Sequence, residues 1–372
     1  MLPNEDVRKY FKIFKTTENR INLYAIFIER CSTLISKNGI LCFINPNSML
    51  INESYKKLRH LIVDNVSLIL KLPDNVFLTA TVETIILLLK NKNLKKTKGA
   101  YFKNNDRIDF DSIKLLDFDK SLWKAEKECR FNIFSDEKVL SILNHIEQTK
   151  LKLEDFVLTS LGITPYDKMK GQSENTIKNR EFHSKTKISK EYVPLISGKN
   201  IHKFFITDEI EEFLKYGNWL GAPREERFFT EPKIIVRQIL GEGKYIIAAY
   251  SDKKHYFTQI GFSLISKKED KNELKFLCAI LNSKLCSFYH ANKFLDKEKT
   301  VFQKILIANA RQIPIPSATK AQQQEIIRLV DKIISAKNVN PLAETSTIES
   351  NIDKLIYTLY GLTDEEINVI EN

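Results

Sequence analysis

The chain has 372 residues, and its hydrophobic content of 43% supports a folded core of two or three domains rather than a disordered chain. Its 58 lysines and arginines outnumber its 47 aspartates and glutamates, which gives a formal net charge of +11. This excess favours a polyanion partner, nucleic acid first, over a merely lysine-rich surface, because released counterions drive such association.

The first part of the chain alternates predicted helices and strands. Residues 18–36 carry apolar side chains at helical spacing and predict a helix that ends at Lys37-Asn38-Gly39. ILCFI at residues 40–44 is a continuous apolar run, which predicts a strand buried on both faces. There follow a helix over 53–64, a strand over 66–72, a Pro73-Asp74-Asn75 turn and a strand over 81–91. With three visible strands, this order predicts an α/β fold.

The rest of the chain has a different character. Residues 92–120 are charged and strand-poor, which predicts a boundary region, and a helix is expected over 135–150. Residues 151–315 predict mainly short strands, with one amphipathic helix over 271–292 and a hairpin turn at Gly241-Glu242-Gly243. Two further predicted helices, over 321–337 and 346–362, close the chain. The fold class expected is α/β followed by α+β.

The cysteines and the N-terminus limit the cellular setting. Five scattered cysteines form no C-x-x-C pair, and Cys278 and Cys286 share one predicted helix, so we expect buried thiols in a reducing compartment. None of the six histidines has metal-ligand spacing, which predicts no metal site. The first residues lack the apolar segment of a signal peptide, and no stretch reaches about 18 apolar residues. A cytoplasmic protein without membrane contact is therefore expected.

FINPNSML at residues 43–50 comes close to a catalytic loop. An adenine-N6 methyltransferase holds its target amino group with an Asn-Pro-Pro-aromatic turn, in which the asparagine and a proline carbonyl accept hydrogens and the ring stacks on the flipped base. Asn47 stands where the second proline belongs, and Ser48 has no ring. Asn45-Pro46 is therefore interpreted as the end of a strand, and no catalytic residue is predicted.

Blocks along the chain nevertheless resemble one family. NLYAIFIER, GILCFINPNSML, YKKLR and NVFLTATVETIILLLK resemble, in order, the blocks that follow the catalytic loop in γ-class N6-adenine DNA methyltransferases of the type IIG restriction–modification kind. YVPLISGKNIHKF, EPKIIVRQI, LCAILNSKLCSFYH and RQIPIPS resemble a TaqI-like target-recognition domain. Each block is short and apolar, and their number and order carry the resemblance.

The resemblance implies a division of labour along the chain. Residues 1–125 would be the C-terminal part of a Rossmann-like methyltransferase sheet, 135–318 the target-recognition domain, and 319–372 terminal helices. The activity implied is site-specific adenine-N6 methylation of double-stranded DNA with S-adenosylmethionine, although neither the cofactor motif nor the catalytic loop is found here. A separate polypeptide with the missing half is one implied partner. The alternative is a non-catalytic DNA-specificity subunit or a truncated remnant.

Several residues are candidates for contact with DNA. By resemblance, Phe77 would stack on the extruded adenine, against the alternative of a core phenylalanine. Lys199, Asn200 and His202 lie in the ISGKNIHKF loop that the family uses for DNA contacts, against the alternative of a solvated turn. Arg237 lies in a predicted strand and must find an anion or a carboxylate. Tyr166, Lys168 and Lys170 are candidates for contacts with backbone phosphates, and Lys299 and Lys304 flank another candidate loop, against the alternative that these lysines are only solvated.

Overall fold

The computed structural model describes residues 9–17, 22–73, 76–77, 82–102, 106–134, 137–295 and 303–372. The chain divides into two compact units, Met1–His145 and Ile146–Asn372. Helices and several sheets occur in the described residues, which confirms a mixed α/β architecture.

The first unit is built on one sheet. Its elements among the described residues are α1 (Leu23–Leu34), β1 (Ile40–Pro46), α2 (Lys56–Ile62), β2 (Val66–Lys71), β3 (Thr84–Lys90), β4 (Lys96–Tyr101), β5 (Leu116–Asp119), α3 (Lys120–Ala125) and α4 (Glu137–Glu147). Within this described part, the strand order is β1-β3-β2-β4-β5. Strands β2 and β4 run parallel, and the other three neighbouring pairs are antiparallel.

Strands β4 and β5 correct the expectation that residues 92–120 are strand-poor. The sequence of β4, KTKGAY, places its lysines on an exposed face, while Thr97, Gly99 and Ala100 are buried. A Cβ atom at Gly99 would lie 2.8 Å from Cε2 of Phe118, so the glycine lets the β5 aromatic ring pack directly on the β4 backbone. The alternation is therefore strand-like, although the composition looks like that of a loop.

Strand β1 lies at an edge of the sheet, and the prediction that both of its faces are buried is wrong. Ile40, Cys42 and Ile44 are exposed, and the side chain of Ile44 keeps 52% of its accessible surface. Asn45, on the opposite face, is buried. Among the described residues, β3 is the only strand that pairs with β1, so the other edge of β1 has unpaired backbone groups.

The second unit contains smaller sheets and a set of helices. Its strands in the described residues are β6 (Leu151–Lys152), β7 (Val157–Leu161), β8 (His183–Ser184), β9 (Tyr192–Leu195), β10 (Glu212–Lys215), β11 (Lys233–Arg237), β12 (Ala248–Ser251), β13 (Gly261–Ser266) and β14 (Pro314–Ile315). Its helices there are α5 (Leu153–Phe156), α6 (Glu174–Lys178), α7 (Arg227–Thr230), α8 (Lys271–Asn282), α9 (Lys284–Phe294), α10 (Ile307–Arg311), α11 (Lys320–Val339), α12 (Ser346–Tyr360) and α13 (Asp364–Glu371).

A central strand organises this unit. Strand β11 lies between β12 and β13 in a sheet of order β12-β11-β13-β7, and β8-β10-β9 and β14-β6 form the other sheets of the described part. The first four residues of β11 are buried, and Ile235 belongs to an apolar cluster with Phe229 and Phe257. Strands β11 and β12 pair antiparallel across residues 241–243, which confirms the predicted hairpin turn.

The predicted helix over residues 271–292 is two helices. Ser283 has an extended backbone, ends α8 and begins α9, where its hydroxyl oxygen accepts the N–H of Cys286 at 3.1 Å. Cys278 and Cys286 therefore lie on different helices, although both are buried. Helix α13 adds a third closing helix, which Thr363 and Glu366 begin with a capping box.

Candidate nucleic-acid interface

The loop after β9 is held in place by Asn200. The Oδ1 atom of Asn200 accepts hydrogen bonds from the backbone N–H and the hydroxyl of Ser197, at 2.8 and 2.9 Å. Its Nδ2 atom donates to the carbonyl oxygens of Thr207 (3.2 Å) and Glu209 (2.9 Å). Only 1% of Asn200 is exposed. The candidate contact at Asn200 is thus corrected to a structural role, because its hydrogen-bonding groups face its own loop.

Arg237 is the last residue of β11 and is half-buried beside this loop. Its Nε atom donates to the carbonyl oxygen of Ile239 at 2.9 Å, and its Cδ atom lies 4.0 Å from where a Cβ of Gly198 would be. Burial lowers the pKa of its guanidinium. In the part of the chain that the structure describes, no carboxylate lies within ion-pair distance of Arg237. The terminal N–H groups therefore remain available to an acceptor outside the protein.

A second cation approaches the loop from a helix remote in sequence. The rings of His202 and Phe205 stack with centroids 4.8 Å apart, and Nζ of Lys337 lies 5.5 Å from the Phe205 centroid. Burial, followed by the charges of Arg237 and Lys337, lowers the pKa of His202, so its imidazole is neutral at neutral pH. Sequence reasoning missed Lys337 because nothing in α11 indicates that its C-terminal end reaches residue 205.

The two loop lysines are already paired with acids. Lys199 forms an ion pair with Glu211. The ammonium of Lys203 lies 3.7 Å from the carboxylate of Glu349 on α12 and 4.8 Å from the ring centroid of Tyr245. Since these groups are partly exposed, each pair is weak and can exchange its acid for a phosphate.

Lys304 lies beside the residues that follow Arg237. Lys304 and Ile239 form an isolated antiparallel bridge, and Ile305 donates its N–H to the carbonyl oxygen of Gln238 at 2.9 Å. The Lys304 side chain is exposed, and among the described residues it has no ion-pair partner. Lys299 lies outside the described residues.

Tyr166 anchors a turn rather than presenting its hydroxyl. The Tyr166 hydroxyl lies 2.8 Å from Nδ1 of His183 and accepts the N–H of Phe182 at 3.0 Å. The rings of Tyr166 and Phe182 stack at 5.4 Å, and burial raises the pKa of the phenol. Lys168 and Lys170, on the turn that follows, are exposed.

A cleft of about 380 Å³ connects these pieces within the second unit. His183, the hydrogen-bonding partner of Tyr166, lines the cleft, as do Ser197 and Asn200 of the loop beside Arg237. The Tyr166 turn, the cleft and the 197–207 loop are therefore contiguous.

The first unit holds the base-stacking candidate. Phe77 is 43% exposed, so its ring is accessible from solvent. Residues 74–75 and 78–81 lie outside the described residues. Asn45 is buried, and Asn47 donates its side-chain amide to Glu83.

The described residues offer little for a cofactor or a metal ion. S-adenosylmethionine needs a glycine-rich turn between a strand and a helix. Here Gly241 precedes, and Gly243 (φ +68°) lies within, a 3-10 turn between two strands. These two glycines therefore do not form a site that fits the cofactor. Among the residues that the structure describes, no cluster of three His, Cys, Asp or Glu side chains is arranged for a metal ion. Across the same residues, no helix is long and apolar enough to span a membrane.

Two protein families match the chain. Residues 193–315 match the TaqI-like C-terminal specificity domain, and residues 3–77 match the Eco57I restriction-modification methylase. The chain thus combines a match to a methylase with a match to a TaqI-like specificity domain. This result confirms the resemblance found in the sequence. Asn200, Arg237 and Lys304 all lie within the residues that match the specificity domain.

Curated relatives and solved structures agree with these matches. The chain is 24% identical over 94% of its length to a putative type II restriction enzyme and methyltransferase of Methanocaldococcus jannaschii, of which it spans 30%. It is 23% identical over 77% of its length to a type II methyltransferase of Thermus thermophilus, of which it spans 61%. The type IIL restriction-modification enzyme MmeI, solved in complex with DNA, has a similar fold (TM-score 0.56, 11% identity, 94% of this chain and 51% of MmeI).

Proposed function

We propose that the second unit recognises a site in double-stranded DNA and acts as the specificity part of an adenine-N6 DNA methyltransferase in a restriction–modification system. The observation that carries the proposal is Arg237, a half-buried guanidinium without a carboxylate partner in the described residues. Its Nε atom is fixed on the Ile239 carbonyl, so the terminal N–H groups have a defined direction. Such a fork matches O6 and N7 of guanine in the major groove.

The cations around Arg237 have a different task. Lys304 pairs with Ile239 just after the arginine and Lys337 lies over the Phe205 ring, so both supply positive charge nearby, and Lys199 can exchange Glu211 for a phosphate. Contacts of this kind position a protein on the duplex without reading its sequence. They also make the affinity fall steeply as salt rises.

The first unit would complete the methyltransferase only with further strands. We propose that its sheet is the far part of a Rossmann-like methyltransferase sheet and that Phe77 stacks on the extruded adenine. The unpaired edge of β1 and the exposed Ile40 and Ile44 support this proposal, because strands bearing the missing loops would pair and pack there. Those strands would belong either to a longer form of this chain or to a separate polypeptide.

S-adenosylmethionine would donate the methyl group in the completed enzyme. We propose that this chain alone neither binds it nor transfers methyl groups, because the glycines and asparagines described above do not form the required loops. Calorimetric titration with the cofactor tests this claim, and micromolar binding by the isolated chain would refute it. If adding an upstream methyltransferase half does not restore methyl transfer, that result would instead favour a non-catalytic specificity subunit or a truncated remnant.

DNA recognition is tested by fluorescence anisotropy with a duplex selected from a random library by its affinity for the chain. We expect Arg237→Ala to weaken binding of the selected duplex about tenfold or more and to reduce discrimination at one G·C pair. Arg328→Ala, which removes the same charge from an exposed position on α11, is the matched control and should change affinity little. Binding that is insensitive to salt, or equal losses in the two variants, would overturn the proposal.

A further inference from the structure

Met169 stands at the tip of the turn after Tyr166. Its side chain is 92% exposed, so almost none of it packs against the protein. The tip is a single 3-10 turn, Lys168–Lys170, which Gly171 ends with a left-handed backbone (φ +79°). Single exposed apolar side chains are common on protein surfaces, so Met169 is of interest because its turn is fixed and because lysines flank it.

The turn that carries Met169 is fixed from both sides. Oδ1 of Asp167 accepts the N–H of Met169 at 2.9 Å, and Oε1 of Gln172 accepts the N–H of Asp167 at 2.9 Å. Nε2 of Gln172 donates to the carbonyl oxygens of Pro165 (3.1 Å) and Trp219 (2.9 Å). The Met169 backbone is thus held before any partner arrives, which lowers the entropic cost of using its side chain in binding.

The charges around the tip match a polyphosphate. Lys168 and Lys170 flank Met169 in sequence, and among the described residues Lys170 has no ion-pair partner. Lys168 lies 2.5 Å from the carboxylate of Glu174, and both side chains are more than 70% exposed, so a phosphate can replace that acid. The carboxylate of Asp167 is turned inward to the backbone of its own turn.

The tip is linked through one side-chain contact to the cleft beside the loop proposed to bind DNA. Tyr166, directly before the turn, contacts His183, which lines the cleft with Ser197 and Asn200. The turn is therefore continuous with the loop beside Arg237.

We propose that Met169 is a wedge that enters between two stacked base pairs of the bound duplex and kinks it, while Lys168 and Lys170 contact the adjacent phosphates. The inference rests on the proposed function, since it requires duplex DNA on this surface. Slender apolar side chains, methionine among them, act in this way where proteins bend DNA, and flexible pyrimidine–purine steps admit them most easily. Met169 would then favour such a step without hydrogen-bonding to any base.

The test uses the full chain and the selected duplex, labelled at both ends for energy transfer and carrying 2-aminopurine at successive steps. We expect the wild type to bend the duplex and to raise 2-aminopurine fluorescence at one step. Met169→Ala should abolish both signals and weaken binding about tenfold, whereas Met169→Leu should retain them. Leu342→Ala, which truncates an apolar side chain that is 89% exposed elsewhere in this unit, should behave as wild type. All three variants should keep the wild-type melting temperature.

The outcomes separate this inference from the proposed function. Arg237-dependent binding with no bend, or with a bend that Met169→Ala preserves, would overturn the wedge alone. Absence of binding to any duplex would overturn both. If Met169→Ala instead abolished self-association of the chain and left DNA bending intact, the tip would belong to a protein contact and the wedge would be refuted.

Discussion

The side-chain amide of Asn200 donates a hydrogen bond to the carbonyl oxygen of Glu209, nine residues further along the chain, at 2.9 Å. This bond closes the loop that begins at Ser197. Since Asn200 also binds Ser197 and Thr207, one buried side chain determines the position of the loop relative to Arg237.

Replacing Asn200 should therefore destabilise the second unit. Asn200→Ala leaves buried backbone groups without partners, which costs on the order of 1–3 kcal/mol in the free energy of unfolding. Asn200→Asp keeps the acceptor for Ser197 and loses the donors, so it should also be destabilising. Urea unfolding measures the effect, with exposed Asn368→Ala as the control. Wild-type stability of Asn200→Ala would mean that the loop is held by other contacts.

His290 should make the chain sensitive to acid. It is fully buried on α9, neither of its ring nitrogens has a hydrogen-bond partner among the described residues, and burial lowers its pKa to about 4. Between about pH 6.5 and 4, His290 binds a proton in the unfolded chain and does not bind it in the folded chain. The contribution of His290 to stability is therefore constant above this window and falls as pH drops through it, by up to about 3 kcal/mol.

The variant His290→Leu isolates that contribution. It removes two buried polar atoms without partners and should reduce the acid sensitivity between pH 6.5 and 4 while keeping stability at pH 7, because other histidines whose pKa burial lowers, such as His202, remain. His60→Leu, at an exposed histidine, should leave the sensitivity in place. Urea unfolding at stepped pH values is the measurement. Equal acid sensitivity in wild type and His290→Leu would contradict the prediction.

Phe77 should matter for catalysis and little for stability. Because its ring is 43% exposed, Phe77→Leu and Phe77→Trp should each change the free energy of unfolding by less than about 1 kcal/mol. With an upstream methyltransferase half restored, Trp should support methylation and 2-aminopurine signals of base extrusion better than Leu, since only a ring stacks on the base. Phe110→Leu, at another exposed phenylalanine, is the control. If Phe77→Leu keeps activity while Phe77→Trp loses both activity and stability, the role of Phe77 is structural.

The open edge and face of β1 should cause self-association of the isolated chain. We expect light scattering to show a mass that rises with concentration, and Ile44→Lys should reduce it, because a charge on an exposed strand opposes edge pairing. The same variant should keep its melting temperature, since Ile44 is half-exposed. Val339→Lys, which adds the same charge at an exposed position on α11, should still associate. A monomeric wild type at high concentration would refute the prediction.

The spacing of apolar residues predicted helices and strands correctly where an element packs through one apolar face. The helix and strand order up to Lys90 agrees with the structure to within a few residues at the ends. Strand β4 was missed because its lysines and Gly99 suit a loop, and only the contact with Phe118 explains the glycine. The break at Ser283 was missed because the apolar spacing continues through it, while the hydroxyl bond to Cys286 is invisible in the sequence pattern.

Individual residues of the candidate interface could be predicted from the sequence, but the contacts that bring them together could not. The sequence indicated the polar loop and Arg237, since a charged residue in an apolar strand needs a partner. It did not distinguish Asn200, which is buried, from Lys199, which is exposed, because both occur in one polar stretch. Lys337 reaches Phe205 across more than a hundred residues of chain, and only tertiary packing creates that contact.

In strand β11, the residues that stabilise the sheet differ from the residue that is available to a ligand. Its first four residues are buried and maintain the sheet, while Arg237 is half-buried where the strand leaves the core. A substitution at Arg237 changes the chemistry offered to a ligand without opening a large cavity. Under the proposed function, lineages that share this scaffold can diverge in the base they recognise by replacing one side chain at a strand end, and natural selection can test each new preference on an already folded protein.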